Sequence, residues 1–192
     1  LPYEAWRLGF LAPNYMEVWI ETADAVDIQG LVFRRAMSGV AAIRTPPHFK
    51  GGPVGWPTNP SWGAGKDIHG ADLPRLIYVR WQSLVEPQTY EAYVEIPEVT
   101  RQLMIKGEMA YCGARNKWLT DYRNALTIGL APGGIAKVWI MGPCLPPVEV
   151  NRVQGTVVAV GPYDSTSGGK HRPLTETSKA YIEKFGTPYG AW

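Results

Sequence analysis

Charge is scarce in this chain. Only 19% of its residues are Asp, Glu, Lys or Arg, and 19 basic residues nearly balance 17 acidic ones, for a formal charge of +2. That balance excludes the basic footprint of a general nucleic-acid binder and leaves no polybasic tract for anionic lipid. Histidine is scarcer, with three residues, His48, His69 and His171, and no H-x-x-x-H spacing to place two on one helix face. The two cysteines, Cys112 and Cys144, are too few for a zinc finger or ribbon. No apolar run reaches 18 residues, so no segment reads as a transmembrane helix. The sequence starts at Leu1 with no charged and apolar leader behind it, and is read as a mature or trimmed form.

Turn formers and tryptophan are abundant. With 21 glycines, 17 prolines and eight tryptophans among 192 residues, the chain is punctuated too often for a helical bundle. At 45% hydrophobic it is globular, and long enough to bury a core. We read it as a single domain over residues 1–192.

Period-two alternation dominates. Trp6, Leu8 and Phe10 share one face, and after Ala12-Pro13-Asn14 so do Met16, Val18 and Ile20, which predicts a first hairpin. A third strand is predicted over Val26 to Arg35. Ile77, Val79 and Trp81, the turn Glu86-Pro87-Gln88, and Tyr90, Ala92, Val94 and Ile96 form the clearest hairpin. Leu126, Ile128 and Leu130 turn at Pro132-Gly133-Gly134 into a strand from Ile135 to Met141. Val148 to Val153 and Thr156 to Val160 predict a last hairpin. Helices are expected over residues 97–110, with Val99, Leu103 and Ala110 on one face, and over 174–185, where Leu174, Ser178, Tyr181, Ile182 and Phe185 share a face before the stop at Gly186. The expected fold is α+β, mainly β: antiparallel hairpins in a twisted sheet or sandwich with two helices.

Residues 44–74 break the rhythm. They hold six prolines and six glycines, Gly52 and Pro53 among them, and show no periodic segment. A connection this long is uncommon inside a compact domain and is often functional. It carries Trp56, Trp62, His48, Lys66 and His69, a set suited to anchoring a protein partner. The structural alternative is an Ω-loop whose indoles fold back over the sheet.

Catalytic patterns are hard to find. Trp62-Gly63-Ala64-Gly65-Lys66-Asp67 resembles a phosphate loop, but Pro60 stands where its first glycine belongs and Asp67 where a hydroxyl would hold magnesium. A Ser/His/Asp set could be assembled from Asp164, Ser165, Ser167 and His171, although that run reads more simply as a loop. Glu91 and Glu95 alternate with core residues and are expected in solvent. Of the strand tryptophans Trp6, Trp19, Trp81, Trp118 and Trp139, most are expected in the core, with Trp19 the one expected outside. No catalytic residue, metal or cofactor is expected. Cys112 and Cys144 can form one intramolecular disulfide, worth about 3–4 kcal/mol by loop closure, which would imply an oxidising compartment. The alternative is two buried thiols.

Six segments carry a family resemblance: Met37-Ser38-Gly39-Val40, Gly55-Trp56-Pro57, Tyr78-Val79-Arg80-Trp81, Glu86-Pro87-Gln88-Thr89-Tyr90, Gly129-Leu130-Ala131-Pro132-Gly133-Gly134 and Gly161-Pro162-Tyr163. Together, from about Trp6 to Trp192, the chain resembles a proteobacterial family of uncharacterised proteins, many of them predicted lipoproteins. Some members are similar to immunity proteins of type VI secretion lipase effectors. The resemblance implies a periplasmic chain anchored through a lipidated cysteine upstream of Leu1, and an antitoxin that binds and inhibits a phospholipase, with the effector as its protein partner. The alternatives are an envelope lipoprotein that binds a glycan or another envelope protein, and a small hydrolase.

Overall fold

The computed structural model describes residues 1–48, 51, 55–57 and 59–192; Gly52 and Pro53 lie outside these. Among the described residues, twelve strands and two α-helices run in order: β1 Ala5–Leu11, β2 Val18–Asp27, β3 Val32–Val40, β4 Ala64–His69, β5 Pro74–Ser83, β6 Gln88–Glu95, α1 Glu98–Ile105, β7 Glu108–Cys112, β8 Lys117–Asp121, β9 Ala125–Ala131, β10 Ile135–Met141, β11 Val148–Gln154, β12 Thr156–Val157 and α2 Glu176–Phe185. One five-stranded sheet runs β11-β10-β9-β1-β4 and the other β12-β6-β5-β2-β3, while β7 and β8 pair alone. All ladders are antiparallel except β1–β9, which is parallel. The mainly β, sandwich-like class expected from the alternation is the class observed.

The core lies between the two large sheets. Trp6, Leu8 and Phe10 of β1 and Leu126, Ile128 and Leu130 of β9 meet Ile20 of β2, Ile77, Val79 and Trp81 of β5, and Val94 of β6. Each set is one face of a strand, as the period of two requires.

Strand pairing departs from the expected hairpins in several places. β1 and β2 do not pair with each other: β1 lies between β4 and β9, and β2 between β5 and β3. They line the same core from opposite sides, which gives both the same alternation. The third strand is Val32–Val40, and Val26 belongs to β2. β11 and β12 likewise separate, β11 pairing with β10 and β12 with β6, so the chain crosses between sheets at Gly155. The helix expected over 97–110 stops at Ile105; Thr100 and Met104 are its buried residues, and Val99 is exposed. Beyond it the chain forms the β7–β8 hairpin, an element the alternation does not predict. Nor does it predict β4, which falls inside the aperiodic stretch. Ile68 is the one buried residue of β4, too little to raise a pattern.

Irregular segments cover part of the outer face of each sheet. All seven residues of β9 are buried, because Trp56 and Trp62 pack with Ala125, Trp139 and Met141 on its outer side. On the other sheet, residues 161–175 lie against the outward side chains of β2 and β5. α2 then packs Tyr181, Ile182 and Phe185 around Tyr15 and Met16, capped at its start by Thr175, whose side chain accepts from the Ser178 amide.

Candidate functional site

The expected anchor residues separate once folded. Trp56 is half-buried, its ring 5.3 Å from that of Trp139 in an edge contact. Gly129 makes room for both: a Cβ there would lie 2.6 Å from Trp56 and 2.8 Å from Trp139. Trp62 is also half-buried, and its carbonyl accepts from the Thr127 hydroxyl at 3.2 Å. Both indoles pack with Ala125, Trp139 and Met141 on the outer side of the sheet. Lys66 and His69 are exposed on β4 and His48 is exposed in the preceding loop. His48 lines an apolar cavity of about 380 Å3 together with Pro13, Met16, Pro46 and Trp192.

Residues considered for hydrolysis have other partners. Ser165 donates to the Val160 carbonyl, Ser167 to that of Lys170 at 2.8 Å, and His171 Nε2 lies 3.0 Å from Thr89 Oγ1. Burial holds the His171 pKa below its ordinary value, against the nearby charge of Glu21. Glu91, expected in solvent, is half-buried and accepts from the Tyr78 hydroxyl at 2.8 Å. Among the described residues no three His, Cys, Asp or Glu side chains cluster as a metal site.

A polar network joins β2 and β5 to the covering segment. Arg80 Nε pairs with Glu21 at 2.9 Å, its Nη1 donates to Asp164 at 2.6 Å and its Nη2 to the Gly161 carbonyl at 2.7 Å. Burial opposes the charge of Arg80, and the Asp164 hydrogen bond with the charges of Glu21 and Asp164 outweighs it, so its pKa lies above the ordinary value. Gln82 donates to Glu21 and accepts the Arg172 amide. Trp19, expected outside, is half-covered by the Arg172 guanidinium, 3.7 Å from its ring centre. Tyr163, Asp164 and Ser165 all have positive φ (50°, 52° and 68°), a strained run for residues with side chains. That run places Asp164 and the Gly161 carbonyl on Arg80.

The β7–β8 hairpin has the opposite character. Tyr111 faces Trp118 across the ladder, and Met109 faces Thr120, so these four share one face. That face points outward: Met109 is 64% exposed, Tyr111 49% and Trp118 67%. The inner face carries Glu108, Ala110, Cys112, Leu119 and Asp121, which are buried or half-buried. An ordinary half-buried hairpin has its large apolar residues inward; this one inverts the rule. Trp118 is the one strand tryptophan whose expected core position is overturned outright.

Three contacts hold the hairpin to the body. Cys112 is bonded to Cys144, with Cα atoms 5.0 Å apart. Asp121 accepts the Cys144 amide at 2.7 Å. Glu108 forms an ion pair with the buried Arg123, which also donates to the Pro146 carbonyl. On the outer face, the Tyr111 ring stands edge-on to Trp118 at 6.0 Å and its hydroxyl donates to Asn116. The arrangement can present a fixed aromatic surface. Its signal in the sequence is the alternation of Met109, Tyr111 and Trp118 with small or charged residues beside a cysteine.

A family model for proteins of unknown function, DUF2931, matches residues 2–190. The chain belongs to DUF2931. The match spans both sheets, the hairpin and α2, so the covered faces and the inverted hairpin all lie within the DUF2931 region. No curated protein and no solved structure matches this DUF2931 chain.

Proposed function

We propose that this DUF2931 protein is a periplasmic binding protein, an immunity factor that inhibits a type VI secretion phospholipase effector. The observation that carries the binding reading is the β7–β8 face, which offers Met109, Tyr111 and Trp118 to solvent on a frame clamped at Cys112, Glu108 and Asp121. Large apolar side chains grouped on a surface favour a partner, and an inhibitor needs a fitted surface with a few anchors in place of a nucleophile. The disulfide supports an oxidising compartment, in keeping with the lipid-anchored, proteobacterial setting that the resemblance implies. The effector assignment rests on that resemblance.

The test is inhibition. A lipase-like effector is expected in the neighbouring reading frame and, mixed with the purified chain, is expected to lose phospholipid hydrolysis near equimolar ratio. Unchanged hydrolysis in molar excess of the chain overturns the reading.

A further inference from the structure

We infer that the outer face of β7–β8 docks side-on against a protein surface made of an apolar socket with carboxylates at its rim; this inference rests on the binding reading above. The apolar part follows from Met109, Tyr111 and Trp118, which form one continuous face because the register sets Tyr111 opposite Trp118. The carboxylates follow from the charges left over. Of the acidic residues of the hairpin, Glu108 is committed to Arg123 and Asp121 to the Cys144 amide. Arg115 in the turn is exposed, and so is Lys117, which pairs with Cys112 at the turn end of the ladder and so lies on the opposite face from Trp118; no ion pair engages either among the described residues. The hairpin thus shows an aromatic face whose turn end carries the two uncommitted charges of the hairpin, both cationic. Its complement is an apolar pocket with an acidic rim, where charge at the edge speeds encounter and fixes register.

The same features favour a protein over a bilayer. A hairpin that inserts end-on into lipid needs apolar residues at its tip. Here the tip is Gly113-Ala114-Arg115-Asn116, and the apolar residues sit on the strand face behind it. Pre-ordering by the disulfide, the Tyr111–Trp118 edge contact and the Asn116 hydrogen bond lowers the entropy lost on fitting a rigid pocket; a fluid surface gains little from it.

The experiment measures binding of the neighbouring lipase to wild type, Trp118→Ala, Tyr111→Ala and the double variant Arg115→Glu/Lys117→Glu, with melting temperatures alongside. All four side chains are exposed, so melting is expected to change little, with any loss confined to Tyr111→Ala and Trp118→Ala, which give up their shared edge contact. Trp118→Ala is expected to weaken Kd by about 30-fold, and the charge reversal to slow association and reduce its salt dependence. Binding by wild type that survives all three variants overturns the hairpin while leaving the immunity reading intact. No binding by wild type overturns both. Sedimentation of wild type with vesicles of phosphatidylglycerol, lost in Trp118→Ala while lipase binding is kept, assigns the face to lipid and overturns the protein partner. A homodimer that Trp118→Ala dissolves, again with lipase binding kept, overturns it in favour of self-association.

Discussion

Arg80 concentrates the electrostatics of one sheet in a single side chain. Its partners differ sharply in exposure: the Glu21 carboxylate is buried, whereas the Asp164 side chain is 77% exposed. Removing the cation strands a buried charge, and removing Asp164 strands nothing. Arg80→Leu is therefore expected to cost about 3–5 kcal/mol in a chemical denaturation experiment. Asp164→Asn is expected to cost less than about 1 kcal/mol, because solvent screens that pair. Equal losses would show that the strained turn at 163–165, rather than the Glu21 pair, holds this region. The sequence hints at the network only through Tyr78-Val79-Arg80-Trp81, where a cation interrupts a core strand. Its partners lie 59 residues before it and 84 after it, beyond the reach of any local pattern.

Among the elements, alternation identifies buried faces well and neighbours poorly. β5 and β6 pair as expected because a short turn joins them. β1 and β2 carry equally clean patterns and sit in opposite sheets, since a period of two reports which side of a strand is dry and nothing about what lies beside it. β4 and β7–β8 escape for another reason. One strand buries little, and the other pair turns its apolar residues outward. The segment bearing Trp56 and Trp62 is legible as unusual, but its burial is not, because the space it fills is created by Gly129, in a strand far along the chain. Gly129→Ala would force the two indoles apart, and we expect a loss of roughly 1–3 kcal/mol from overpacking. Trp56→Ala should lower the melting temperature while leaving effector binding unchanged once folded; weakened binding at unchanged stability would return this loop to the interface.

At the scale of the molecule, irregular chain covers part of each outer sheet face, while the small hairpin turns its large apolar residues outward. The segment over β2 and β5 includes His171, whose Nε2 lies 3.0 Å from Thr89 Oγ1 of β6. Its folded pKa is depressed below the ordinary 6.5, so the unfolded chain takes up the proton first. The stabilisation is complete above about pH 6.5 and is lost as pH falls through the folded pKa. Wild type is expected to lose melting temperature on acidification through this window, and His171→Gln to lose less of it; parallel acid profiles would show that other groups govern the loss.

The parallel β1–β9 ladder sets Arg7 beside Ala125 and Leu11 beside Gly129, so the first strand of the chain waits for a neighbour made two-thirds of the way along it. During synthesis β2, β3, β5 and β6 can assemble by local pairing, while β1 has only β4 for company. Contacts so distant in sequence close slowly and leave an edge open meanwhile. A chain built this way completes its second sheet only after most of its length has emerged.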